Sequence, residues 1–268
     1  MKKIVNCLLF FILLLFPTVS TALNDSHIVL VDDDGDGDFQ SIQKAVDVAT
    51  EGDIIKVYSG TYIENIEINK SLSLIGVEEE LGAGSDMGKP VILGSNKTAI
   101  NVSHTQMVEV SNFSIQNSSF GVILIDSFHC SIKQNNISNC TFSGMKIQSV
   151  DNERVFNISV TGNYIFNNYA GVVIGPSFAS SCIILEGNSI AYNEMVGLGI
   201  AFVRKVLVEK NNFIENGVEP AVSQVVSVFS LATSFSHNFW SDWQKDTPRE
   251  IPLFKKDRNP ADESYNIK

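Results

Sequence analysis

The feature that most constrains the fold is an asparagine-rich motif that recurs along the second half of the chain. Its copies begin 23 to 28 residues apart, about 25 on average. A fixed period of this length is typical of solenoids, in which each repeat is one structural coil. The six copies are Asn112 to Asn117, Asn135 to Asn139, Asn163 to Asn167, Asn188 to Asn193, Asn212 to Asn216 and Asn238 to Asp242.

A second landmark keeps register with the first. Gly121, Gly144, Gly171 and Gly197 each follow the motif's first asparagine by eight or nine residues. Short β-branched or aliphatic runs come next, and they predict strands of three to five residues. We interpret the asparagines as corner residues that accept left-handed backbone geometry and stack their amides.

These patterns predict an all-β fold, a single-stranded right-handed parallel β-helix. An antiparallel sandwich is the alternative, but it requires no fixed period. We expect about seven coils over residues 54–243, a strand and capping helix in residues 23–53, and a tail in residues 244–268.

Both ends of the predicted solenoid have a candidate cap. Residues 39–49 place Ile42, Ala45 and Val46 on one helical face, with Asp38 as the candidate N-cap. Such a helix covers strand edges that would otherwise invite aggregation. At the other end, Trp240 and Trp243 are expected to plug the core.

Residues 1–22 have the pattern of a secretory signal. Lys2 and Lys3 precede an apolar run that ends at Phe16, and small residues surround Ala22. An uncleaved anchor is the alternative, although the run is shorter than a bilayer span. We therefore expect a secreted or cell-surface protein with no membrane span after cleavage.

The net charge bears on which partners the protein can bind, and the cysteine count bears on whether disulfide bonds stabilise it. The formal net charge of −11 disfavours nucleic acid as a partner. Removal of the signal leaves Cys130, Cys140 and Cys182, an odd number that we interpret as small core residues rather than a disulfide framework.

Two parts of the chain resemble known families. Gly37 to Val46, with Gly52 to Val57 and Gly60 to Tyr62, resembles the opening of pectinesterases and related pectin-lyase-like β-helices. The repeats after Asn112 resemble those of the NosD family, whose members are often described as periplasmic copper-binding or surface proteins. The pectinesterase segment Gly-Thr-Val-Asp-Phe-Ile-Phe-Gly has no counterpart here, so the resemblance implies the fold but not that activity.

A catalytic hypothesis depends on two aspartates. Asp126 and Asp151 are separated by one mean period, so they could stack on adjacent coils, with Arg154 nearby. A polysaccharide hydrolase needs such a pair of carboxylates. Solvated charges on loops are the alternative interpretation.

Two metal hypotheses arise. Asp32, Asp34, Asp36 and Asp38 have the spacing that opens a calcium loop, although Gln43 stands where the bidentate glutamate would be, and a simple turn is the alternative. The NosD resemblance implies copper, for which His104 and His129 are the candidates because they too are separated by one mean period. Two unrelated surface histidines are the alternative.

Nine Asn-x-Ser/Thr sequons suggest a glycosylated protein, with Asn69, Asn96, Asn101 and Asn157 as the more accessible acceptors. We expect most aromatic residues to lie in the core, while any outward set could stack on sugar rings.

The function expected from these observations is non-catalytic binding of a polysaccharide, a cell-envelope glycan or another surface protein along the flank of the solenoid. Two alternatives stay open. One is a polysaccharide hydrolase or lyase, and the other is a NosD-like accessory protein for copper-site assembly.

Overall fold

The chain folds as a parallel β-helix, as predicted. The computed structural model describes residues 26–150, 155–177, 182–217, 224–228, 232–243, 247–251 and 255–267. A typical coil adds one strand to each of three sheets, called A, B and C here, and the strands stack in chain order except for the last pair of sheet A. Sheet B has eight strands, so there are eight coils rather than about seven. The expected signal in residues 1–22 lies outside the described residues.

Sheet A, the longest, has parallel strands except at its last pair. In spatial order they are β1 (Ile28–Val31), β2 (Ile54–Val57), β5 (Ser73–Gly76), β8 (Glu109–Ser111), β11 (Ser131–Lys133), β14 (Ile158–Thr161), β17 (Ile183–Glu186), β20 (Val206–Glu209), β23 (Ser234–Ser236), β26 (Lys255–Asp257) and β25 (Arg249–Ile251).

Sheets B and C complete each coil, and sheet B has the shorter strands. Sheet B runs from β3 (Thr61–Tyr62) through β6 (Val91–Leu93), β9 (Ser114–Gln116), β12 (Asn136–Ser138), β15 (Tyr164–Phe166), β18 (Ser189–Ala191) and β21 (Asn212–Ile214) to β24 (Phe239–Trp240). Sheet C runs from β4 (Ile66–Ile68) through β7 (Thr98–Ser103), β10 (Phe120–Ile125), β13 (Ser143–Gln148), β16 (Ala170–Ile174) and β19 (Val196–Ala201) to β22 (Val225–Val228).

The core is a set of side-chain columns that run along the axis of the solenoid. Parallel register places each inward residue of a strand on its counterpart one coil away, so aliphatic residues stack on aliphatic residues. Fully burying one such side chain contributes about 1.5–3 kcal/mol. The column inside sheet B includes Ile92, Ile115, Ile137, Ile165, Ile190, Phe213 and Trp240, all 0% exposed.

Left-handed residues make the corners between sheets A and B. The residue after each sheet A strand has a φ between 53° and 66° from the third coil onward. Asparagine is only one of the residues that fill this place, since the positions are Asn112, Gln134, Gly162, Gly187, Lys210 and His237.

The stacked asparagines of this corner come one residue after the left-handed position. They are Asn135, Asn163, Asn188, Asn211 and Asn238, each 0% exposed. Asn112 and Asn212, which the motif places in the series, lie outside it: Asn112 is the left-handed residue, and Phe113 fills the ladder position of its coil. The sequence-based register was therefore wrong by one residue in these two coils.

These asparagines form a continuous hydrogen-bonded ladder, called ladder 1 here. The Nδ2 of Asn188 donates to the Oδ1 of Asn211 at 2.9 Å, and the backbone N–H of Asn188 donates to the same oxygen at 2.9 Å. The other residues repeat this pattern, and the series ends on the buried carboxylate of Asp257, which accepts from Asn238 and from Trp240. The side chains thus satisfy backbone groups that the corner leaves without sheet partners.

A second ladder, ladder 2, follows the corner between sheets B and C. It consists of Asn168, Asn193 and Asn216 and ends on Gln224, whose Oε1 lies 2.7 Å from the Nδ2 of Asn216. Three of the landmark glycines, Gly144, Gly171 and Gly197, lie against it. A Cβ on Gly171 would stand 2.4 Å from the carbonyl oxygen of Gly197 and 2.9 Å from the Nδ2 of Asn193.

The capping helix α1 spans Ile42–Val48, shorter than the predicted residues 39–49. Its N-cap is Ser41 rather than Asp38, whose carboxylate instead accepts the backbone N–H of Leu30. A carboxylate from the segment between β3 and β4 completes the cap, because Glu64 accepts the N–H groups of Ile42 and Gln43 at 3.0 and 2.9 Å. No helix in the described residues is long and apolar enough to cross a membrane.

The solenoid does not end at the predicted plug of Trp240 and Trp243. Trp240 is fully buried and stacks on Phe213 with 4.5 Å between ring centroids. Sheet A continues past it through β26 and the antiparallel β25, so part of the expected tail belongs to the fold. Arg249 covers the Trp240 ring at 4.6 Å and pairs with Asp242 at 2.8 Å.

Candidate functional site

The described residues include only Asp126 of the predicted acid pair. Register aligns Ile125 with Gln148, so the residue stacked on Asp126 is Ser149, and Asp151 is two residues further along the chain. The Oγ of Ser149 donates to the Asp126 carboxylate at 2.7 Å, and the N–H of Val150 donates at 3.1 Å. Asp126 is 1% exposed and stabilises this turn, while Asp151 and Arg154 lie outside the described residues.

The two candidate copper ligands do not face each other. At this point the coil is shorter than the mean period, so Ser103 aligns with Ile125, and His104 lies next to Asp126, with 3.8 Å between Nε2 and Oδ2. His129 lies at the next corner, where its Nδ1 is 2.6 Å from the Nδ2 of Asn157. The mean spacing predicted the wrong partner for His104 because individual coils differ in length.

The cysteines do not provide copper ligands either. Cys130 and Cys140 are 2% exposed in the core, and burial raises the pKa of Cys140 to about 12. A buried, protonated thiol is a small hydrophobic residue rather than a metal ligand. Cys182 is half-buried, and all three are free.

The described residues therefore do not fit copper. Among them, the side chains of His, Cys, Asp and Glu converge in groups of three or more only at Asp34, Glu80 and Asp86. This group offers oxygen ligands alone, whereas copper favours imidazole and sulfur.

The four predicted calcium residues take three different places. Asp32 is buried, and its Oδ2 accepts the N–H groups of Gly35 and Asp36 at 3.0 Å, as in a turn. Asp38 lies apart from the others, because its carboxylate accepts the backbone N–H of Leu30. Asp34 and Asp36 face the loop that follows β5.

Three of the four predicted sequon acceptors are accessible. Asn69, Asn96 and Asn157 are exposed. Asn101 is half-buried, and its Nδ2 donates to Glu67 at 2.6 Å. Glycosylation itself stays a prediction.

The most distinctive surface lies at the corner between sheets B and C. Phe142, Tyr169 and Met195 occupy the same place in three successive coils, because each directly precedes a set of aligned residues, Ser143, Ala170 and Val196. Their exposed fractions are 57%, 41% and 47%. We call these residues, together with the 48% exposed Tyr192, the aromatic stripe.

Polar groups surround the aromatic stripe. A groove of about 460 Å³ is lined by Tyr169 and Tyr192 together with Asn139, Cys140, Thr141, Asn167, Asn168 and Glu194. Further rings continue the surface to either side. Phe120 stacks on Phe142 at 5.2 Å, and Tyr164 stacks on Phe166 at 4.3 Å between ring centroids. Burial, and then the neighbouring Tyr192, raise the pKa of the Tyr164 hydroxyl.

The sequence-based expectation that most aromatic residues are core is wrong for this set. Phe113 and Phe213 are buried, but Phe142, Tyr169, Tyr192 and Phe202 are at least 41% exposed. A signal was present in the sequence, because Phe142, Tyr169 and Met195 each stand two residues before a landmark glycine.

Comparison with solved structures finds β-helix proteins of low sequence identity. The surface adhesin PfbA of Streptococcus pneumoniae is 11% identical, with a TM-score of 0.55 over 75% of this chain and 67% of that one. The GH136 lacto-N-biosidase from Eubacterium ramulus is 13% identical, with a TM-score of 0.54 over 80% of this chain and 50% of that one. Escherichia coli ybhc is 12% identical, with a TM-score of 0.52 over 83% of this chain and 73% of that one. At these identities the likeness concerns the fold alone.

No curated protein sequence matches the chain significantly. The family described as "Periplasmic copper-binding protein (NosD)" matches residues 40–244, from the capping helix to the last coil. This match covers most of the chain, which therefore belongs to the NosD family of parallel β-helix proteins.

Proposed function

We propose that this protein is an extracytoplasmic, non-catalytic β-helix that binds a glycan along the aromatic stripe. The periplasmic description of its family supports the location. The observation that carries the proposal is the row of exposed Phe142, Tyr169 and Met195 on successive coils. Coils are about 4.8 Å apart, so the row presents apolar faces along an extended polymer.

The groove beside the stripe has the mixed character of a sugar site. Ring faces of Tyr169 and Tyr192 offer apolar platforms, while the amides of Asn139 and Asn167 offer hydrogen bonds to hydroxyl groups. Monomeric proteins rarely expose large apolar rows without a binding role. This combination favours a glycan over a purely apolar ligand.

The described lining of the same groove has no pair of carboxylates of the kind that glycoside hydrolysis commonly uses. Glycoside hydrolysis commonly uses two carboxylates about 5–9.5 Å apart. Glu194 is the one acidic residue among the described residues that line the groove. The lining therefore supports binding without cleavage.

The test is an array of neutral and acidic polysaccharides probed with the purified protein, with retention and cleavage scored separately. We expect retention without new reducing ends. The double substitution Tyr169→Ala, Tyr192→Ala should weaken retention at least about tenfold, since exposed tyrosines that anchor a ligand each contribute about 1–2 kcal/mol.

The matched control is Phe202→Ala. Phe202 resembles Tyr192 in exposure, 41% against 48%, and in its left-handed backbone, with φ of 55° against 54°, but it lies at the other end of sheet C. Equal retention by the double variant and the wild type would contradict the stripe as the binding site. Release of cleaved product by the wild type would contradict a non-catalytic role.

A further inference from the structure

The turns that follow the first three strands of sheet A, β1, β2 and β5, differ from the later ones. Later coils make this corner with one left-handed residue followed by an asparagine of ladder 1. Here, longer loops follow β1 and β5, residues 32–38 and residues 77–90. Both loops lie at the carboxyl ends of their strands, so they meet at one edge of the solenoid.

Three carboxylates converge where these loops meet. One oxygen from each of Asp34, Glu80 and Asp86 lies within 4.8 Å of the other two. Calcium takes oxygen ligands at 2.3–2.6 Å, so ligands on opposite sides of the ion are up to about 5 Å apart. The three oxygens are thus spaced as ligands of one calcium ion would be.

A buried carboxylate points to the same place independently. Asp32 is 0% exposed, and its Oδ1 has no hydrogen-bond partner among the described residues. The Asp32 side chain interacts with that of Glu80, one of the three converging residues; burial, and then this interaction, raise the pKa of Glu80. Leaving a buried carboxylate oxygen without a partner is unfavourable. A cation between the loops would remove that cost.

Glycines allow the loops to approach these carboxylates. A Cβ on Gly84 would lie 2.6 Å from the Oδ2 of Asp34 and 2.7 Å from the Oε2 of Glu80. A Cβ on Gly82 would lie 2.0 Å from the Oδ2 of Asp36, which accepts the N–H of Ala83. Any larger residue would fill the space between the carboxylates.

Negative charge accumulates here without compensation from basic residues. Asp32, Asp33, Asp34, Asp36, Glu80 and Asp86 form no ion pair with a Lys, Arg or His of the described chain. Desolvation and then the charges of Asp33, Asp86, Asp32 and Asp36 raise the pKa of Asp34. A site of this kind, with oxygen ligands and a strongly negative field, is suited to a hard divalent cation.

We propose that Asp34, Glu80 and Asp86, supported by Asp32, form a calcium site that ties the two loops together. This site is separate from the proposed glycan groove. It retains Asp32 and Asp34 from the sequence-based hypothesis and excludes Asp38, which binds Leu30. Glu80 and Asp86 supply the acidic ligands that Gln43 cannot provide.

The test is isothermal titration of calcium chloride into the chelator-treated protein, paired with thermal unfolding in calcium and in chelator. We expect one calcium ion per chain and a higher Tm in calcium. The double substitution Glu80→Gln, Asp86→Asn should lower calcium affinity at least about tenfold, since loss of even an outer-shell partner costs 10–100-fold. Glu51→Gln, at the opposite end of the sheet A strands, is the matched control and should bind as the wild type does.

Folding of the variant is checked in chelator. There the double variant should unfold at or above the wild-type Tm, because it lacks two mutually repelling charges. Asp34→Asn, at an exposed position, provides a second variant with the same expected loss of affinity. Absence of calcium binding by the wild type, undiminished binding by both variants, or a magnesium response as large as the calcium response would overturn the proposal.

Discussion

The corner between sheets A and B has two forms, one built from buried amides and one from carboxylates. We propose that only the second form binds a ligand. In the later coils, buried amides of ladder 1 donate and accept in sequence until the last one reaches Asp257. In the first coils the same corner holds carboxylates, and one oxygen each of Asp32 and Asp33 is buried without a hydrogen-bond partner.

An amide carries both a donor and an acceptor, so it can repeat along a solenoid without a net charge. An ionised carboxylate only accepts, so a cluster of carboxylates requires donors or a cation from elsewhere. The ladder is therefore complete within the protein, whereas the acidic corner holds unpartnered carboxylate oxygens for which we propose a cation.

The largest loss of stability is expected when one residue is removed from the middle of ladder 1. Asn188→Ala deletes the bonds from Nδ2 to Val160 and Asn211, and it leaves the buried N–H of Asn163 without an acceptor. Each unsatisfied group costs about 1–3 kcal/mol, so we expect a loss of about 3–5 kcal/mol in the free energy of unfolding, measured with urea.

Asn136→Ala is the control for this substitution. Asn136 is half-buried and faces outward from β12, so we expect a change below about 0.5 kcal/mol. A loss below about 1 kcal/mol for Asn188→Ala would show that the ladder is dispensable.

A smaller effect is expected where glycine makes room for ladder 2. Gly171→Ala would place a methyl group 2.9 Å from the Nδ2 of Asn193 and 2.4 Å from the carbonyl oxygen of Gly197. Overpacking of this kind costs about 1–3 kcal/mol, which thermal and urea unfolding would measure.

Gly199→Ala provides the opposite outcome in an adjacent coil. A Cβ on Gly199 meets no atom within 4 Å, so alanine should leave stability unchanged or raise it by up to about 1 kcal/mol. Equal effects of the two substitutions would mean that the landmark glycines serve backbone flexibility rather than close packing.

The period of the sequence predicted the fold because a stacked solenoid repeats its constraints. Each coil needs inward aliphatic residues, a left-handed corner and a small residue beside ladder 2. These needs appear as Ile137, Asn139 and Gly144 in one coil and as Ile165, Asn167 and Gly171 in the next. The NosD resemblance pointed to the family that the match over residues 40–244 confirms.

The register of side chains was harder to predict because coils differ in length. The mean period pairs His104 with His129 and Asp126 with Asp151, whereas the local coil pairs His104 with Asp126 and Asp126 with Ser149. The acidic corner was predicted only in part, since Glu80 and Asp86 are distant from Asp34 in sequence and only the fold brings them close.

The most direct test of the contrast between the two corners is hydrogen exchange measured by mass spectrometry, with and without calcium. At exchange times of seconds to minutes, calcium should increase protection in residues 32–38 and 77–90 and leave the coils around Asn188 unchanged, because solenoid coils interact mainly with their neighbours. Unchanged exchange in both loops, or an equal increase around Asn188, would contradict a site confined to the acidic corner.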